Sequence, residues 1–233
     1  MKAVILAGGM GTRLRPITYE IPKPLLPVKR RPIVNHLIDL FGRYGIVDIA
    51  LLISRDHQND FERWYKNWLE ELSEKNIHLF YEEIPRGTFG GMEVVKSWLG
   101  NDDFILSNGD ELKDFNLTAL IDFHKTHQPL GTVALVEVPD AHEYGVPVMD
   151  GHHIRQFLEK PSHPPTNFIN SGLSVLNPLV FDYVDFTKEN IMYEKDIFPQ
   201  LAASGKLIGH LFPQSRWYDC GNLERWERAI KEW

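Results

Sequence analysis

Short apolar, β-branched runs alternate with segments of helical periodicity through the first half of the chain. Residues 2–7 and 48–54 are apolar almost throughout, which is typical of strands buried on both faces. Between them, apolar residues recur at positions 33, 34, 37, 38, 40 and 41, the spacing of one helix face. The alternation continues with a predicted helix over 59–72, a strand over 77–81, a helix over 93–99 and a strand over 104–107. Repeated strand–helix–strand units predict a parallel sheet with helices on both faces.

The pattern changes after about residue 130, where apolar runs follow one another with little helical sequence between them. Strands are predicted over 132–138, 146–149, 153–157 and 168–176, and we expect the sheet to gain antiparallel strands here. Helices over 178–184 and 195–204, a strand over 207–212 and a closing helix over 223–231 complete the pattern. No repeat or long linker interrupts it, so we expect a single α/β domain over residues 1–233.

The composition is ordinary for a folded protein, with 43% apolar and 24% charged residues in a chain of 233. The single cysteine, Cys220, excludes an intramolecular disulfide and any metal site built from several cysteines. No apolar run approaches the roughly 18 residues of a membrane span, and the apolar start is too short for a signal peptide. We therefore expect a cytoplasmic protein that binds no membrane.

Charge is distributed unevenly along the chain. The net charge of −7 argues against non-specific binding to nucleic acid. Residues 1–31 nevertheless contain seven basic residues and only one acid, Glu20. The phosphates of a nucleotide would explain such a cationic segment on an acidic protein, and a solvated basic surface is the alternative.

A glycine-rich loop, GGMGTRL at residues 8–14, follows the first predicted strand. Ligands bind at the carboxyl ends of strands in α/β sheets, and glycines let backbone amides approach phosphate oxygens. The dinucleotide pattern GxGxxG fails because Leu14 occupies its last glycine position, and no GK[ST] follows to make a Walker loop. A phosphate loop and a purely structural turn remain, and the permanent charges of Arg13 and Arg15 favour the phosphate loop.

Lys23 lies between two prolines in the segment PKPLLPV at residues 22–28. Prolines restrict the backbone and remove N–H donors, so this lysine is carried by a stiff loop. A lysine fixed just after a phosphate-type loop is suited to clamp an anion.

Residues 2–28 (KAVILAGGMGTRLRPITYEIPKPLLPV) resemble the signature of the sugar-1-phosphate nucleotidyltransferases. Five later motifs of that family occur in the same order, so the resemblance covers essentially the whole chain. They are GTFGG at 87–91, NGD at 108–110, FLEKP at 157–161, NSG at 170–172 and WYDCG at 217–221. The middle loop of the family usually reads LGTAGA, whereas residues 86–91 read RGTFGG, so Arg86 and Phe89 depart from the pattern.

The resemblance implies a Rossmann-like, three-layer αβα sandwich with a mixed, mainly parallel sheet. It implies that a nucleoside triphosphate and a sugar 1-phosphate are the substrates, that a nucleotide sugar and pyrophosphate are the products, and that Mg²⁺ is the cofactor. The nucleotide would bind mainly to residues 1–130 and the sugar phosphate to residues 131–233. The sequence stops at Trp233, without the C-terminal β-helix of many relatives, so we do not expect the trimerisation or the acyl or allosteric functions of that module. We expect a monomer or a small homo-oligomer.

Site residues are carried over from the family where its motifs match. Asp110 and Asp219, each expected at the end of a strand, would hold Mg²⁺, although a lone aspartate there also serves as a helix cap. Arg13, Lys23 and Lys160 would be the catalytic cations. The residues implied in nucleotide binding are Leu6, Ala7, Gly8, Gly9, Gly11, Thr12, Arg13, Lys23, Glu82, Gly87 and Thr88. Those implied in sugar-phosphate binding are Asn108, Gly145, Glu159, Lys160, Asn170 and Gly172.

The implied mechanism is in-line attack of a sugar-phosphate oxygen on the α-phosphorus of the nucleotide, which expels pyrophosphate. Because the nucleophile is already an anion near neutral pH, catalysis consists of positioning two repelling anions and stabilising transition-state charge. Arg13 and Lys23 would stabilise the triphosphate and the departing pyrophosphate, while Lys160 would align the nucleophile. No covalent enzyme intermediate is required, and Cys220 is interpreted as a packed small residue.

The nucleobase and the sugar are left open by the motifs. Glu82, near the end of the third predicted strand, would accept hydrogen bonds from the N1–H and the exocyclic amine of guanine, a donor pair that adenine and uracil lack. GTP is therefore the first expectation and thymidine triphosphate the second. The alternative role for Glu82 is a solvated strand-end charge beside Glu83.

Other function classes compete with this interpretation. A metal-dependent glycosyltransferase would use the acidic pair Asp102 and Asp103, but that pair precedes its predicted strand instead of following it. A non-catalytic regulatory module would not need the charged residues carried over above. A phosphocholine cytidylyltransferase shares the N-terminal motif, but the NSG segment at 170–172 argues against it. Release of pyrophosphate from a nucleoside triphosphate and a sugar phosphate would distinguish these classes.

Overall fold

A computed structural model describes residues 1–233. The chain divides into two compact units, each assembled from segments that are distant in sequence. The first unit comprises residues 1–85, 107–115 and 216–233, and the second comprises residues 86–106 and 116–215. None of the helices is both long and apolar enough to cross a lipid bilayer.

The elements follow one another along the chain much as the apolar pattern predicts. The strands are β1 (Lys2–Leu6), β2 (Pro27–Val28), β3 (Arg31–Pro32), β4 (Asp48–Ser54), β5 (Asn76–Glu82), β6 (Phe104–Asn108), β7 (Glu111–Lys113), β8 (Gly131–Glu137), β9 (Gly145–Asp150), β10 (His153–Glu159), β11 (Phe168–Leu176), β12 (Leu207–Leu211) and β13 (Trp217–Asp219). The α-helices are α1 (Ile33–Arg43), α2 (Gln58–Trp68), α3 (Gly87–Gly90), α4 (Met92–Leu99), α5 (Leu117–His127), α6 (Phe198–Ala203) and α7 (Leu223–Glu232).

Parallel strands organise the first unit, in the order β5-β4-β1. The inner residues of β1 and β4 are aliphatic and fully buried, which explains their unbroken apolar runs. Because parallel strands end at the same edge, the loop after β1 and the last residue of β5, Glu82, lie at that edge. The N–H of Ala7 donates to the carbonyl of Leu52 at 2.7 Å, which ties the start of the glycine-rich loop to β4.

Two short antiparallel pairs complete the first unit, β2 with β3 and β7 with β13. A compact apolar cluster packs beside them. Its buried members are Leu14, Leu26, Val28, Ile33, Leu112, Cys220 and Ala229. This cluster supports the glycine-rich loop, the lysine loop and the segment around Asp219 from one side, because each of these segments contributes a residue to it.

The β2–β3 turn places non-glycine residues in the left-handed region, with φ of 49° at Lys29 and 65° at Arg30. Val28 pairs with Arg31, so the turn has two residues, and positive φ at both is the type I′ geometry that favours asparagine and glycine. We expect Arg30→Gly to raise the free energy of unfolding by about 0.5–1 kcal/mol, since it removes left-handed strain at a smaller entropic cost. Chemical denaturation checks this, and Arg30→Ala is the matched control because it keeps the Cβ. Equal stability of the two variants would contradict the strain argument.

The second unit contains residues 104–106 of β6 and the strands that follow β6 in the sheet, in the order β11-β8-β12-β10-β9. β8 pairs parallel with β12 and antiparallel with β11, and β10 pairs antiparallel with both β12 and β9. The antiparallel strands expected after residue 130 are therefore present. The β11–β8 register shifts between Asn170 and Ser174, which is a bulge within the NSG motif.

Several expectations about elements were wrong in detail. Helix α5 was not predicted, because its narrow apolar stripe carries a buried histidine, His124, whose ring nitrogen lies 2.8 Å from the hydroxyl of Thr132. The helix expected over 195–204 is a π-helical turn over Tyr193–Ile197 followed by α6, which begins beside Pro199. The helix expected over 59–72 ends at Trp68, and the segment Pro178–Tyr183 is a 3₁₀ helix.

Candidate active site

The glycine-rich loop needs glycine at two positions. A Cβ on Gly8 would lie 2.8 Å from Oε2 of Glu82, so the loop passes directly over this carboxylate. Gly11 has φ of +59°, and a Cβ there would lie 2.8 Å from Cγ2 of Thr18. The hydroxyl of Thr18 donates to the carbonyl of Gly11 at 2.8 Å, which closes the loop against the following turn. Gly9 and Thr12 are exposed, whereas Leu6 is half-buried and Ala7 buried at the end of β1.

Arg13 follows this loop in the 3₁₀ turn Thr12–Leu14 and is exposed, while its neighbour Leu14 is buried. An ideal Cβ on Gly221 would lie 3.1 Å from Nη2 of Arg13 and 2.6 Å from Oδ1 of Asp219. The two side chains therefore approach each other over Gly221. The structure thus brings the cation of the first motif to the carboxylate of the last, across about two hundred residues of sequence.

Lys23 lies in a second 3₁₀ turn, Lys23–Leu25, with Pro24 at its start. Its Nζ donates to Oδ2 of Asp110 at 2.6 Å, and the side chains are 13% and 27% exposed. Burial alone would lower the pKa of Lys23, but the charge and hydrogen bond of Asp110, with Asp219 nearby, hold this pKa above its ordinary value. Lys23 is therefore a cation at neutral pH, as an anion clamp requires.

Asp110 occupies the turn between β6 and β7. A Cβ on Gly109 would lie 2.6 Å from the carbonyl oxygen of Leu6, so only glycine lets this turn approach the end of β1. Burial acts to raise the pKa of Asp110, but the charge and hydrogen bond of Lys23 hold it below its ordinary value. The carbonyl of Asp110 also accepts the N–H of Cys220 at 3.1 Å, which joins the turn to the segment that carries Asp219.

Asp219, the last residue of β13, accepts a hydrogen bond from Nη1 of Arg225 at 2.6 Å, and its side chain is 11% exposed. Arg225 lies in the first turn of α7, whose cap is Asn222. Cys220 is fully buried, and burial together with Asp110 and Asp219 raises the pKa of its thiol. This thiol stays protonated and packed, as the sequence interpretation expected.

Sequence reasoning missed a third carboxylate, Glu111, and its partner Lys113. Their Oε2 and Nζ atoms lie 2.8 Å apart. Glu111 also accepts hydrogen bonds from Nδ2 of Asn108 at 2.9 Å and from Nε1 of Trp217 at 3.2 Å. Burial, with Asp110 and Asp219 nearby, raises the pKa of Glu111 to about 7. The sequence signal was an acid and a base two positions apart, directly after the NGD motif, on one face of a strand.

Asp110, Glu111 and Asp219 together form the carboxylate cluster, and each of its members is paired with a different cation. No group of three or more histidine, cysteine or acidic side chains converges as a metal centre. Mg²⁺ is, however, commonly held by one or two carboxylates, with waters and substrate phosphates as its other ligands. Asp110 and Asp219 fit that requirement, because both are oxygen donors beside the glycine-rich loop and both contribute to the electrostatic environment of Lys23.

A second set of expected residues lies in the second unit, where β9 pairs with β10. Gly145 stands opposite Glu159, and a Cβ there would lie 2.7 Å from Cζ of Phe157. Lys160 has φ of 50°, and its N–H donates to the carbonyl of Tyr144 at 3.0 Å. Its exposed Nζ lies 3.6 Å from Oε1 of Glu159. Functional sites are one setting in which the surrounding structure maintains such strained backbone, and a two-residue turn such as that at Lys29 is another.

The NSG motif forms the bulge of β11. Gly172 has φ of +65°, and its N–H donates to Oδ1 of Asn170 at 3.0 Å. The hydroxyl of Ser171 donates to the carbonyl of Ala134 at 2.8 Å. The bulge therefore fixes the orientation of the Asn170 side chain, which is 8% exposed.

The middle loop packs against the π-helical turn of the second unit. A Cβ on Gly87 would lie 2.6 Å from the carbonyl oxygen of Ile191, and its φ is +82°. The hydroxyl of Thr88 donates to Oε2 of Glu194 at 3.0 Å and accepts the N–H of Tyr193 at 3.1 Å. Burial and the charge of Glu159 raise the pKa of Glu194. The sequence analysis missed Glu194, since no acidic motif marks it.

The structure groups the expected residues by unit. The expected nucleotide residues from Leu6 to Glu82, both expected metal ligands and Asn108 lie in the first unit. Gly87 and Thr88 lie in the second unit with Gly145, Glu159, Lys160, Asn170 and Gly172. The departures from the family loop are structural there, because Phe89 is fully buried and Arg86 donates to the carbonyls of Phe186 and Lys188 and pairs with Glu93.

Comparison with known proteins is consistent with this arrangement of motifs. Residues 2–232 match the family model described as nucleotidyl transferase. The chain belongs to the nucleotidyl transferase family. It is 35% identical over 226 residues to the mannose-1-phosphate guanylyltransferase catalytic subunit beta of Xenopus tropicalis, covering 95% of this chain and 61% of that protein. The chain therefore spans about three fifths of the length of the curated relatives that it matches.

Solved structures show the same fold. A protein from Bacillus anthracis described as a glucose-1-phosphate thymidylyltransferase superposes with a TM-score of 0.90 at 24% identity, covering 99% of this chain and 94% of that one. HddC from Yersinia pseudotuberculosis, solved with GMP-PN, gives a TM-score of 0.80 at 25% identity, covering 99% and 98%. The expected Rossmann-like α/β fold with a mixed, mainly parallel sheet is confirmed for this transferase.

Proposed function

We propose that this nucleotidyl transferase joins a nucleoside triphosphate to a sugar 1-phosphate, giving a nucleotide sugar and pyrophosphate. The observation that carries the proposal is the set of charges beside the glycine-rich loop. Lys23 pairs with Asp110, and Arg13 approaches Asp219, at the edge where α/β proteins bind ligands. A triphosphate with a divalent cation supplies the opposite charge to both members of each pair, which a simple anion does not.

In this proposal the triphosphate lies along the glycine-rich loop, where Arg13 and Lys23 contact its oxygens. Arg13 is exposed, and its guanidinium is proposed to contact the pyrophosphate end, whose negative charge grows as the bond to the α-phosphorus breaks. Lys160 holds the attacking sugar phosphate. Asp110 and Asp219 hold Mg²⁺, which neutralises phosphate charge when it is bound. The protonated, buried Cys220 takes no covalent part.

The sugar is proposed to bind in the second unit. Gly145 lets β9 pack closely against Phe157, and the neighbouring Glu159 provides acceptors for sugar hydroxyls. Asn170 and the backbone of Gly172, held by the bulge, contribute a fixed polar surface. Asn108 is also proposed as a sugar-phosphate residue. Thr88 and Gly87 belong to the loop proposed to reach the nucleotide.

Guanine and mannose 1-phosphate are the proposed specific substrates. Relatives that match at 33–35% identity include mannose-1-phosphate guanylyltransferases from a frog, a fungus and a plant. Glu82 is 6% exposed and lies under Gly8, so it is not the solvated strand-end charge considered from the sequence. Its exposed neighbour Glu83 has that role and pairs with Arg55. A buried carboxylate beside the nucleotide loop is suited to accept the paired donors of guanine.

Replacing Glu82 by glutamine tests base selection. We expect kcat/KM for GTP to fall about 10–100-fold and that for thymidine triphosphate to change little, because the amide cannot accept both guanine donors. The measurement is kcat/KM with each nucleotide, and Glu83→Gln is the matched control on the exposed side of the strand end. Equal losses for both nucleotides would show that Glu82 does not read the base.

The experiment that tests the function is a matrix of five nucleoside triphosphates against a panel of sugar 1-phosphates, with pyrophosphate as the readout. We expect pyrophosphate only when both substrates and a divalent cation are present, with GTP and mannose 1-phosphate the best pair. Transfer from a nucleotide sugar without pyrophosphate release would support the glycosyltransferase instead. That alternative lacks a free acidic pair, because Asp103 accepts a hydrogen bond from Asn177 at 2.8 Å and lies 3.5 Å from His124.

The remaining parts of the proposal concern where the transferase works and in what form. The one cysteine is buried and unpaired, which suits a reducing compartment, so a cytoplasmic location is proposed. A monomer or a small homo-oligomer is proposed for the chain, which size-exclusion chromatography with light scattering measures.

A further inference from the structure

A buried ion pair lies behind the proposed active site and takes no part in the chemistry described above. The side chain of Lys113 is 0% exposed and that of Glu111 is 10% exposed. Removing two charges from water is costly, and apolar residues of similar size would stabilise the same position at least as well. The apolar cluster on the other side of β7 is built in that way, around Leu112. Packing alone therefore does not account for the pair.

The position of Glu111 adds electrostatic repulsion to the free-energy cost of burying its charge. In the β7–β13 ladder Glu111 stands directly opposite Asp219, and Lys113 stands opposite Trp217. Carboxylates that face each other across an antiparallel pair repel, and Asp110 adds a further negative charge next to them. A residue chosen for stability would not be an acid at this position.

The two carboxylate oxygens of Glu111 accept hydrogen bonds from the two segments that carry the proposed metal ligands. Its Oε1 accepts from Asn108, two residues before Asp110, and its Oε2 accepts from Trp217, two residues before Asp219. The Nζ of Lys113 lies 2.8 Å from the same Oε2, and this contact holds the carboxylate in place. One carboxylate thus ties together the two segments that carry the proposed metal ligands.

We infer that Glu111 and Lys113 are positioning residues that set the spacing of Asp110 and Asp219 for a divalent cation. The inference rests on the proposed function, since it assumes that these two aspartates bind the metal. In this inference the pair acts through the two aspartates and is not itself a metal ligand. Backbone hydrogen bonds, such as that from the N–H of Cys220 to the carbonyl of Asp110, hold the two segments together. The side-chain contacts of Glu111 with Asn108, Trp217 and Lys113 add the restraint that orients these segments.

The test is a Mn²⁺ titration of the full chain, followed by electron paramagnetic resonance and run beside thermal unfolding. The double variant Glu111→Leu/Lys113→Met replaces the pair by apolar residues, so we expect it to stay folded with an unchanged or raised Tm. Its Kd for Mn²⁺ should nevertheless rise about 10–100-fold, the loss typical of residues that orient metal ligands. Asp114→Ala/Arg43→Ala, which removes an exposed pair in the same unit, is the control and should leave the Kd unchanged.

A second variant keeps the inference testable if the double variant does not fold. Trp217→Phe retains the ring and deletes only the N–H that reaches Glu111, and it should weaken Mn²⁺ binding by a smaller factor than the double variant. Unchanged Mn²⁺ affinity in a folded double variant, or in Trp217→Phe, would overturn the inference. Mn²⁺ binding is measured without turnover, so the two failures can be told apart. A failed pyrophosphate assay would reject the proposed function, whereas an unchanged Kd for Mn²⁺ would reject only the positioning role of Glu111 and Lys113.

Discussion

Asp110→Asn should lower nucleotidyl transfer on the order of a thousandfold or more while leaving the protein folded. The substitution removes a proposed metal ligand, and it also removes the negative charge that holds Lys23 in place at 2.6 Å. Both losses act on the triphosphate, because Lys23 would then be free to move and the phosphate charge would no longer be neutralised in a fixed position. The pyrophosphate assay measures the loss, and circular dichroism checks the fold.

The matched control for this substitution is Asp114→Asn. Asp114 is the same residue type, lies four positions further along the same segment, and pairs with Arg43 on the exposed surface. We expect it to retain wild-type turnover. Asp219→Asn should resemble Asp110→Asn, although it releases Arg225 instead of Lys23. Full activity of the wild-type protein in excess chelator would refute the divalent-cation requirement that underlies both substitutions.

Arg13→Ala should lower kcat by about 10²–10³-fold, whereas Lys160→Ala should act mainly on the apparent KM for the sugar phosphate. Arg13 is proposed to meet charge that develops as pyrophosphate leaves, so its loss is felt in the transition state. Lys160 is proposed to bind an anion whose charge is already present in the ground state. Losing one charge-assisted hydrogen bond there should raise the KM about 10–100-fold.

Steady-state kinetics with each substrate varied in turn separate these two effects. Arg15→Ala is the control for Arg13, because Arg15 belongs to the same basic segment but lies over the ring of Tyr19, 4.9 Å from its centre. It should leave kcat near the wild-type value. Suppose instead that Lys160→Ala weakens nucleotide binding and leaves the KM for the sugar phosphate unchanged. The assignment of Arg13 to the nucleotide and of Lys160 to the sugar phosphate would then be reversed.

The order and type of most elements could be predicted from the sequence, because they depend on local periodicity. Strands β1 and β4 are continuous aliphatic runs, and α1 buries the very positions whose spacing predicted it. The elements that were missed or misplaced depend on contacts remote in sequence. Helix α5 buries His124 against Thr132 of β8, and the π-helical turn at Tyr193 packs against the middle loop. Local patterns do not contain that information.

The candidate site divides in the same way. The glycine-rich loop, Lys23 and the NGD motif are contiguous in the sequence, and residue type alone indicated anion and metal chemistry there. The pairing of Lys23 with Asp110, the approach of Arg13 to Asp219 and the burial of Glu82 required the fold, because each joins segments between about seventy and two hundred residues apart. Glu111 and Lys113 illustrate the limit most directly. In the sequence they are two ordinary charges, and only the fold buries them and, by pairing β7 with β13, places them opposite Asp219 and Trp217. Local physical chemistry determines which groups are available, whereas burial and long-range pairing determine the charges and partners that those groups have.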